Sequence, residues 1–404
     1  MPSKLTILID KWDKSRGGRE VYLADLMRYV KNAGHPVQVL CQRSAEPDYT
    51  VTVQQVPHIR FPAFLREGHF SRNIHELIQK DKDYPVLTVQ PHDAATHYQL
   101  HAGLYSTAFE AERESMDSTL RRWLYRPANR LNFKRQWLLN SQQKLLTGKS
   151  TPKLMTFSRG LGRELQQIYG ISSESIFTLP LGVDLDHFQP ATHPVTAEWE
   201  RWESTKRREE LRILFVAHNF ALKGLNYIFR VLSQKKHFNL KARLLVVGNG
   251  PVTAYKKLAR KYGITSQVLF LGGIEQRHLI QLYQSSDALV HPTFYDPCSL
   301  VTLEALACGC PVVTTRKCGA SELFESGREG FILDDPRNTE ALGEALRSLQ
   351  DPQRLRKMSW AACQLVKKID VKIHMRGMMK WLGLISCSVA GATESYGPST
   401  NGLF

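Results

Sequence analysis

The segment Tyr295–Thr315, YDPCSLVTLEALACGCPVVTT, decides how the rest of the chain reads. It parses as a loop, a short helix opening near Ser299 and a buried strand, with two acidic residues, Asp296 and Glu304, separated by seven positions. A helix starting there turns the first-turn amides of Leu300 and Val301 outward, which suits a diphosphate. Glu304, about one turn deeper, is placed to accept hydrogen bonds from a ribose diol. Asp296, ahead of the helix, suits sugar hydroxyls beyond the phosphates. One segment is thereby expected to hold three parts of a nucleotide sugar.

Working backward from that segment, short apolar runs alternate with helical periodicity. Arg212–Ala217 reads as a strand, Lys223–Ser233 as a helix, and Ala242–Val247 as a strand closed by Gly248-Asn249-Gly250. A helix from Val252, a strand Val268–Leu271, a helix from Gln276 and a strand Ala288–His291 follow. The first half repeats the theme. Strand Leu5–Ile9, the loop Gly17-Gly18, helix Glu20–Lys31 and strand Pro36–Cys41 form an opening βαβ unit. Val51–Val56, Val86–Val89 and Lys153–Phe157 read as further strands, Arg72–Gln79 and Arg159–Tyr169 as helices. The fold class is α/β, with two doubly wound Rossmann-like domains facing each other across a cleft. The expected divisions are 1–180, 181–372, a helix at 373–385 returning to the first domain, and a Ser/Gly/Thr-rich tail at 386–404.

Composition narrows the partners. The 404 residues are 42% hydrophobic and 23% charged, which excludes wholesale disorder, and two domains are the natural expectation. A formal charge of +16 points to an anionic partner. No nucleic-acid module is present, so an acidic membrane face or a phosphorylated substrate is expected. Four of the seven cysteines, Cys298, Cys308, Cys310 and Cys318, cluster near the quoted segment. They read as small buried residues in preference to zinc ligands. The opening MPSKLTILIDKWDK has too short an apolar run for a signal peptide, and no apolar stretch approaches the ~18 residues of a membrane span. A cytoplasmic protein peripherally associated with the inner membrane is the expectation.

Several blocks together resemble the retaining glycosyltransferases of family 4, which have the GT-B fold: Gly17-Gly18-x-Glu20, SRGLGRELQQIYG, LPLGVDLDHFQP, Lys223-Gly224, GNGP and the acidic pair. Within the family the likeness is to enzymes that glucosylate inner-core heptose of lipopolysaccharide. Three positions depart from the family pattern: Asp296 replaces a glutamate, Leu181 an asparagine, and VAHNFALKG has His218 or Leu222 where an arginine stands.

The resemblance implies metal-independent transfer of a hexose, glucose by expectation, from a UDP-sugar to a lipid-linked saccharide, with no cofactor. Charge developing on the leaving diphosphate would be met by Lys223, the Leu300 and Val301 amides and the Gly17-Gly18 backbone. His101 is favoured over His92 and His97 as the histidine touching the donor sugar. Gly248, Gly250 and the backbone near Ile274 are expected around the nucleoside, and Ser299 at the helix tip. Asp93 and Arg159 are acceptor-side candidates, and Glu322 a weaker cleft candidate. The stretch Thr119–Lys149 alternates Arg121, Arg122, Arg126, Arg130, Lys134 and Arg135 with Trp123, Tyr125, Phe133 and Trp137, which suits an anionic membrane surface. Two rival readings remain: a transferase for another bacterial surface glycan, and a non-catalytic nucleotide-sugar-binding protein.

Overall fold

A computed structural model describes residues 3–13, 17–45, 51–57, 66–78, 84–148, 151–192, 210–234 and 236–386. Residues 387–404 of the expected tail, most of the polar stretch Pro190–Glu210, Gln79 and Lys149 lie outside the described residues.

The first half builds β1 (Leu5–Trp12), α1 (Gly18–Asn32), β2 (Val37–Ser44), β3 (Thr52–Gln55), α2 (Arg66–Ile78), β4 (Val86–Thr88) and β5 (His97–Gln99). It continues through α3 (Tyr105–Glu114), α4 (Thr119–Leu131), α5 (Phe133–Thr147), β6 (Lys153–Thr156), α6 (Arg159–Tyr169) and β7 (Ile176–Thr178). The strands pair in parallel in the order β3-β2-β1-β4-β5-β6-β7. The alternating side chains of β1 explain why it is central. Leu5, Ile7 and Ile9 pack with Leu23, Leu26 and Val30 of α1, while Leu8 joins Phe70 and Ile74 of α2.

The second half builds β8 (Leu211–Val216), α7 (Leu225–Ser233), β9 (Ala242–Val247), α8 (Val252–Lys261), β10 (Val268–Gly272) and α9 (Gln276–Ser285). After these come β11 (Ala288–His291), α10 (Leu300–Ala307), β12 (Val312–Thr315), β13 (Gly330–Leu333), α11 (Thr339–Ser348), α12 (Pro352–Val366) and α13 (Val371–Trp381). Its parallel order is β10-β9-β8-β11-β12-β13.

Each sheet reverses its strand order once, between β1 and β4 and between β8 and β11. Loops leaving the carboxyl ends of those strands open a crevice, the usual ligand position in such sheets. Two crossovers join the halves. Val183 N donates to Ile369 O at 3.0 Å and Val371 N to Val183 O at 2.9 Å, so the crossovers lie side by side. α13 then lies against the first sheet, where Trp381 meets the His97 ring at 4.8 Å and stacks on Phe177 at 6.2 Å. The thiols of Cys308, Cys310 and Cys318 are free and buried, and that of Cys298 is free and partly buried.

Candidate functional site

The expected site residues fall at the carboxyl ends of strands. Gly17-Gly18 follows β1, Asp93 follows β4, His101 follows β5 and Arg159 follows β6. In the second half Lys223 follows β8, Gly248 to Gly250 follow β9, Ile274 follows β10 and Asp296 follows β11. This common placement is what turns separate loops into one crevice.

The two halves approach each other at Gly17-Gly18 and Leu300. A Cβ on Gly18 would lie 3.1 Å from Leu300 Cδ1, and one on Gly17 3.9 Å from His218 Nε2. The helix that opens at Leu300 therefore presents its first turn to the Gly17-Gly18 backbone. Ser299 supplies no side-chain cap to that helix, because its hydroxyl pairs with Thr302 Oγ1 at 2.8 Å. The first-turn amides of the helix are therefore not capped by that side chain.

Lys223 sits ahead of α7, not within it: Gly224, at φ 81°, is the helix cap. Its ammonium lies 2.7 Å from Asp296 Oδ2 and donates to Tyr295 O at 3.0 Å. An ammonium has three protons, so one is left for a phosphate oxygen. Asp296 Oδ1 accepts from the amides of Ser299 at 2.9 Å and Cys298 at 3.4 Å. Both carboxylate oxygens thus have protein partners. The buried aspartate anchors Lys223 and the start of α10 at once. Burial alone would lift its carboxyl, but Lys223, the adjacent His291 at 3.5 Å and the Ser299 amide outweigh that and hold it at about 2.

Glu304, one turn further into α10, accepts from Tyr283 Oη at 2.9 Å. Burial raises its carboxyl to about 7, only partly offset by the tyrosine. Folded-state stability from a neutral Glu304 is therefore present below its ordinary value of 4.5 and lost as pH rises through about 7. A ribose diol, by contrast, prefers the ionised acceptor. Donor affinity should thus improve several-fold between pH 6 and 8, by about one proton's linkage, and Glu304→Gln should flatten that profile. Calorimetric titration of UDP across this range checks it; an identical pH slope in the variant would count against the role of Glu304.

His101 sits opposite, on a turn closed by Gly103. Its ring packs on Tyr22 at 5.5 Å and Phe157 at 5.4 Å, and its carbonyl lies 3.6 Å from Cys298 Sγ of the other half. Burial, helped by Arg19 and opposed by Asp296, lowers its pKa to about 3, so it is neutral at physiological pH. Among the described residues its buried Nδ1 has no hydrogen-bond partner. Gly103 has φ 70°, and a Cβ there would fall 2.0 Å from Tyr295 Oη, which accepts from Leu104 N at 2.9 Å.

The nucleoside-side turns also come together. Gly248 N donates to Gly272 O at 2.7 Å, and a Cβ on Gly250 would strike the Phe220 ring at 2.7 Å. Ile274 packs partly buried beside them against the core.

Other candidates have protein partners of their own. Asp93 is held by Ser71 Oγ at 2.7 Å and His75 Nε2 at 3.0 Å, both from α2. The amides of Arg159 and Gly160 donate to the two oxygens of Glu322 at 2.7 and 2.6 Å. Glu322 thus caps α6 from the opposite half and locks the two together. In the basic segment the chain breaks at Asn132 into α4 and α5, each N-capped by a side chain, Ser118 and Asn132. No residue of α4 is buried; Trp123 is 72% exposed, Leu131 78% and Phe133 71%. Arg121, Arg126, Arg130 and Lys134 share that exposed surface. Arg135 is a correction: it turns inward to Glu112 at 2.9 Å, bonds Tyr125 and lies over the Phe109 ring at 4.7 Å. Arg122 is likewise spent on Met116 O at 2.6 Å, and Trp137 is partly buried.

Arg19, whose charge acts on His101 and whose guanidinium lies 2.7 Å from Glu20, carried no motif signal of its own. Its position directly after Gly17-Gly18 was the available signal. His291, buried at the end of β11 beside Asp296, was hidden by its resemblance to an ordinary strand residue.

Two parallel α/β units, whose loops at the switch points of both sheets approach each other, define the GT-B class of glycosyltransferase. Comparisons with known proteins agree. A family model described as Glycosyltransferase Family 4 matches residues 16–187, and one described as Glycosyl transferases group 1 matches residues 197–362. The chain belongs to this glycosyltransferase family. It is 29% identical over 215 residues to the lipopolysaccharide glucosyltransferase WaaG of Escherichia coli, an alignment spanning 53% of this chain and 56% of WaaG. It is 27% identical over 345 residues to an uncharacterized glycosyltransferase of Methanocaldococcus jannaschii, spanning 81% and 83% of the two chains. The crystal structure of WaaG superposes with a TM-score of 0.75 at 21% identity, covering 94% of this chain and 99% of that one. The Anabaena protein HepE, solved with UDP and glucose, gives 0.70 at 16% identity, with 94% and 99% coverage. No described helix is long and apolar enough to cross a membrane.

Proposed function

We propose that the chain is a retaining, metal-independent hexosyltransferase that moves glucose from UDP-glucose to a heptose of the lipopolysaccharide core. The observation that supports this reading is the close approach of Leu300 to the Gly18 backbone, with Lys223 tied through Asp296 to the start of the same helix and the His101 carbonyl against Cys298. In the reaction the bond between the anomeric carbon and the diphosphate oxygen breaks, leaving negative charge on the phosphate. Lys223 and the Leu300 and Val301 amides receive that charge from fixed positions, which need no reorganisation as it develops. The acceptor hydroxyl attacks the face the phosphate leaves, and its proton passes to the departing phosphate oxygen. Asp296 serves by orienting Lys223. The neutral His101 offers Nδ1 to a hexose hydroxyl. The likeness to WaaG favours the glucose donor and the core acceptor. Incubation with UDP-glucose and truncated core acceptor, read by mass, should add one hexose; no addition across a panel of UDP-hexoses would contradict the proposal.

The acceptor class implies a lipid surface. The exposed α4–α5 corner, with Leu120, Trp123, Leu124, Leu131 and Phe133 among Arg121, Arg126, Arg130 and Lys134, suits docking on the anionic inner-membrane face, which holds the enzyme cytoplasmic and peripheral. Each cation near such a surface contributes about 1 kcal/mol. Co-sedimentation with vesicles containing anionic phospholipid should be lost at high salt and weakened about tenfold by Trp123→Ala with Phe133→Ala. Full retention at about 1 M salt would argue against this surface.

A further inference from the structure

A buried polar chain runs from the crossover between the halves to the crevice. His374 of α13, 3% exposed, bonds Pro180 O through Nδ1 at 2.7 Å and Tyr22 Oη through Nε2 at 3.0 Å. Gln99 Nε2 in turn donates to Tyr22 Oη at 2.7 Å. A carbonyl only accepts, so Nδ1 carries the proton and Nε2 accepts from the tyrosine. The chain then has a single consistent direction: Gln99 N–H to Tyr22, Tyr22 O–H to His374, His374 N–H to Pro180. Burial lowers the His374 pKa to about 4, which keeps the ring neutral as this direction requires.

The members of the chain sit where they can transmit position. Pro180 is on the first crossover, beside Gly182, whose Cβ would fall 2.5 Å from Val371 Cα. That leaves the two crossovers no room to slide. Tyr22 is one turn into the helix that begins at Gly18, and its ring packs on His101. Gln99 ends β5, and its carbonyl accepts the His101 amide at 2.8 Å.

We propose that His374 is a positioning residue, which through Tyr22 and Gln99 holds the Gly17-Gly18 backbone and the His101 turn in register with the inter-domain crossover. The inference rests on the transferase reading. Its consequence is specific. UDP is gripped chiefly by the second half, so loss of the chain leaves UDP affinity nearly intact while the transfer step slows, because a displaced contact acts on the transition state.

The test uses the full chain at a temperature where every variant is folded. His374→Leu and Tyr22→Phe should each lower kcat about tenfold, with UDP affinity within about twofold of the parent, and the double variant should fall no further than either. His374→Gln keeps one donor and one acceptor and should restore most of the rate. Amide exchange at residues 100–103 should quicken equally in His374→Leu and Tyr22→Phe. Multiplying effects, an unchanged kcat in His374→Leu, or unchanged exchange at that turn would overturn the inference. Absence of turnover in the parent chain would instead strike the transferase reading, and the exchange measurement would still judge the chain of bonds.

Discussion

Lys223→Ala is expected to lower kcat/KM for the donor by about 10²–10³-fold, or about 3–4 kcal/mol of transition-state stabilisation. The single change also strands Asp296, whose side chain is 11% exposed with Lys223 as its main cation. Leaving a buried charge without its partner costs about 3–5 kcal/mol, so a fall in Tm accompanies the loss of rate. The double variant Lys223→Ala with Asp296→Asn separates the two effects. It should recover most of the stability and none of the rate. Recovery of activity in the double variant would show that the lysine merely neutralises the aspartate.

Gly103→Ala should be the most damaging small substitution in the crevice. At φ 70° any side chain is strained, and the new methyl would sit 2.0 Å from the hydroxyl of Tyr295. Backbone strain and overpacking together cost about 2–5 kcal/mol. Because Tyr295 Oη accepts from Leu104 N across the halves, the clash pushes the two units apart where the His101 carbonyl meets Cys298. Activity should fall by more than the folded fraction measured by denaturant titration. Adding Tyr295→Phe removes the nearest atom and should return part of the stability. Wild-type activity in Gly103→Ala would mean that the two halves do not need this close approach.

How far the sequence could be read follows from where the information lies. α6 begins and ends where the periodicity of Arg159–Tyr169 placed it, because Ser158 caps its start and Gly170 closes it at φ 68°. β9 and β11 matched the expected limits, since continuous apolar runs mark strands buried on both faces. β5 and β7 escaped notice. Each is three residues long, and β5 is written in His97, Tyr98 and Gln99, whose polarity hides a buried strand. β13 begins with Gly330, whose Cβ would lie 2.1 Å from Val312 O, so close strand packing was bought there at the expense of an apolar signal.

Within the site, spacing along α10 was legible because Asp296, Leu300 and Glu304 share one local segment. Contacts across the crevice were not. Glu322 capping α6 joins residues 163 positions apart, and the inward turn of Arg135 depends on Glu112 from another helix. Charge alternation along one segment gives no hint of either partner.

The position of bound UDP is the most direct test of this site. A crystal structure of the complex should place the diphosphate within hydrogen-bond reach of the Leu300 and Val301 amides and Lys223 Nζ, with the ribose diol on Glu304. A diphosphate found away from the first turn of α10, or a ribose that leaves Glu304 facing only Tyr283, would contradict it.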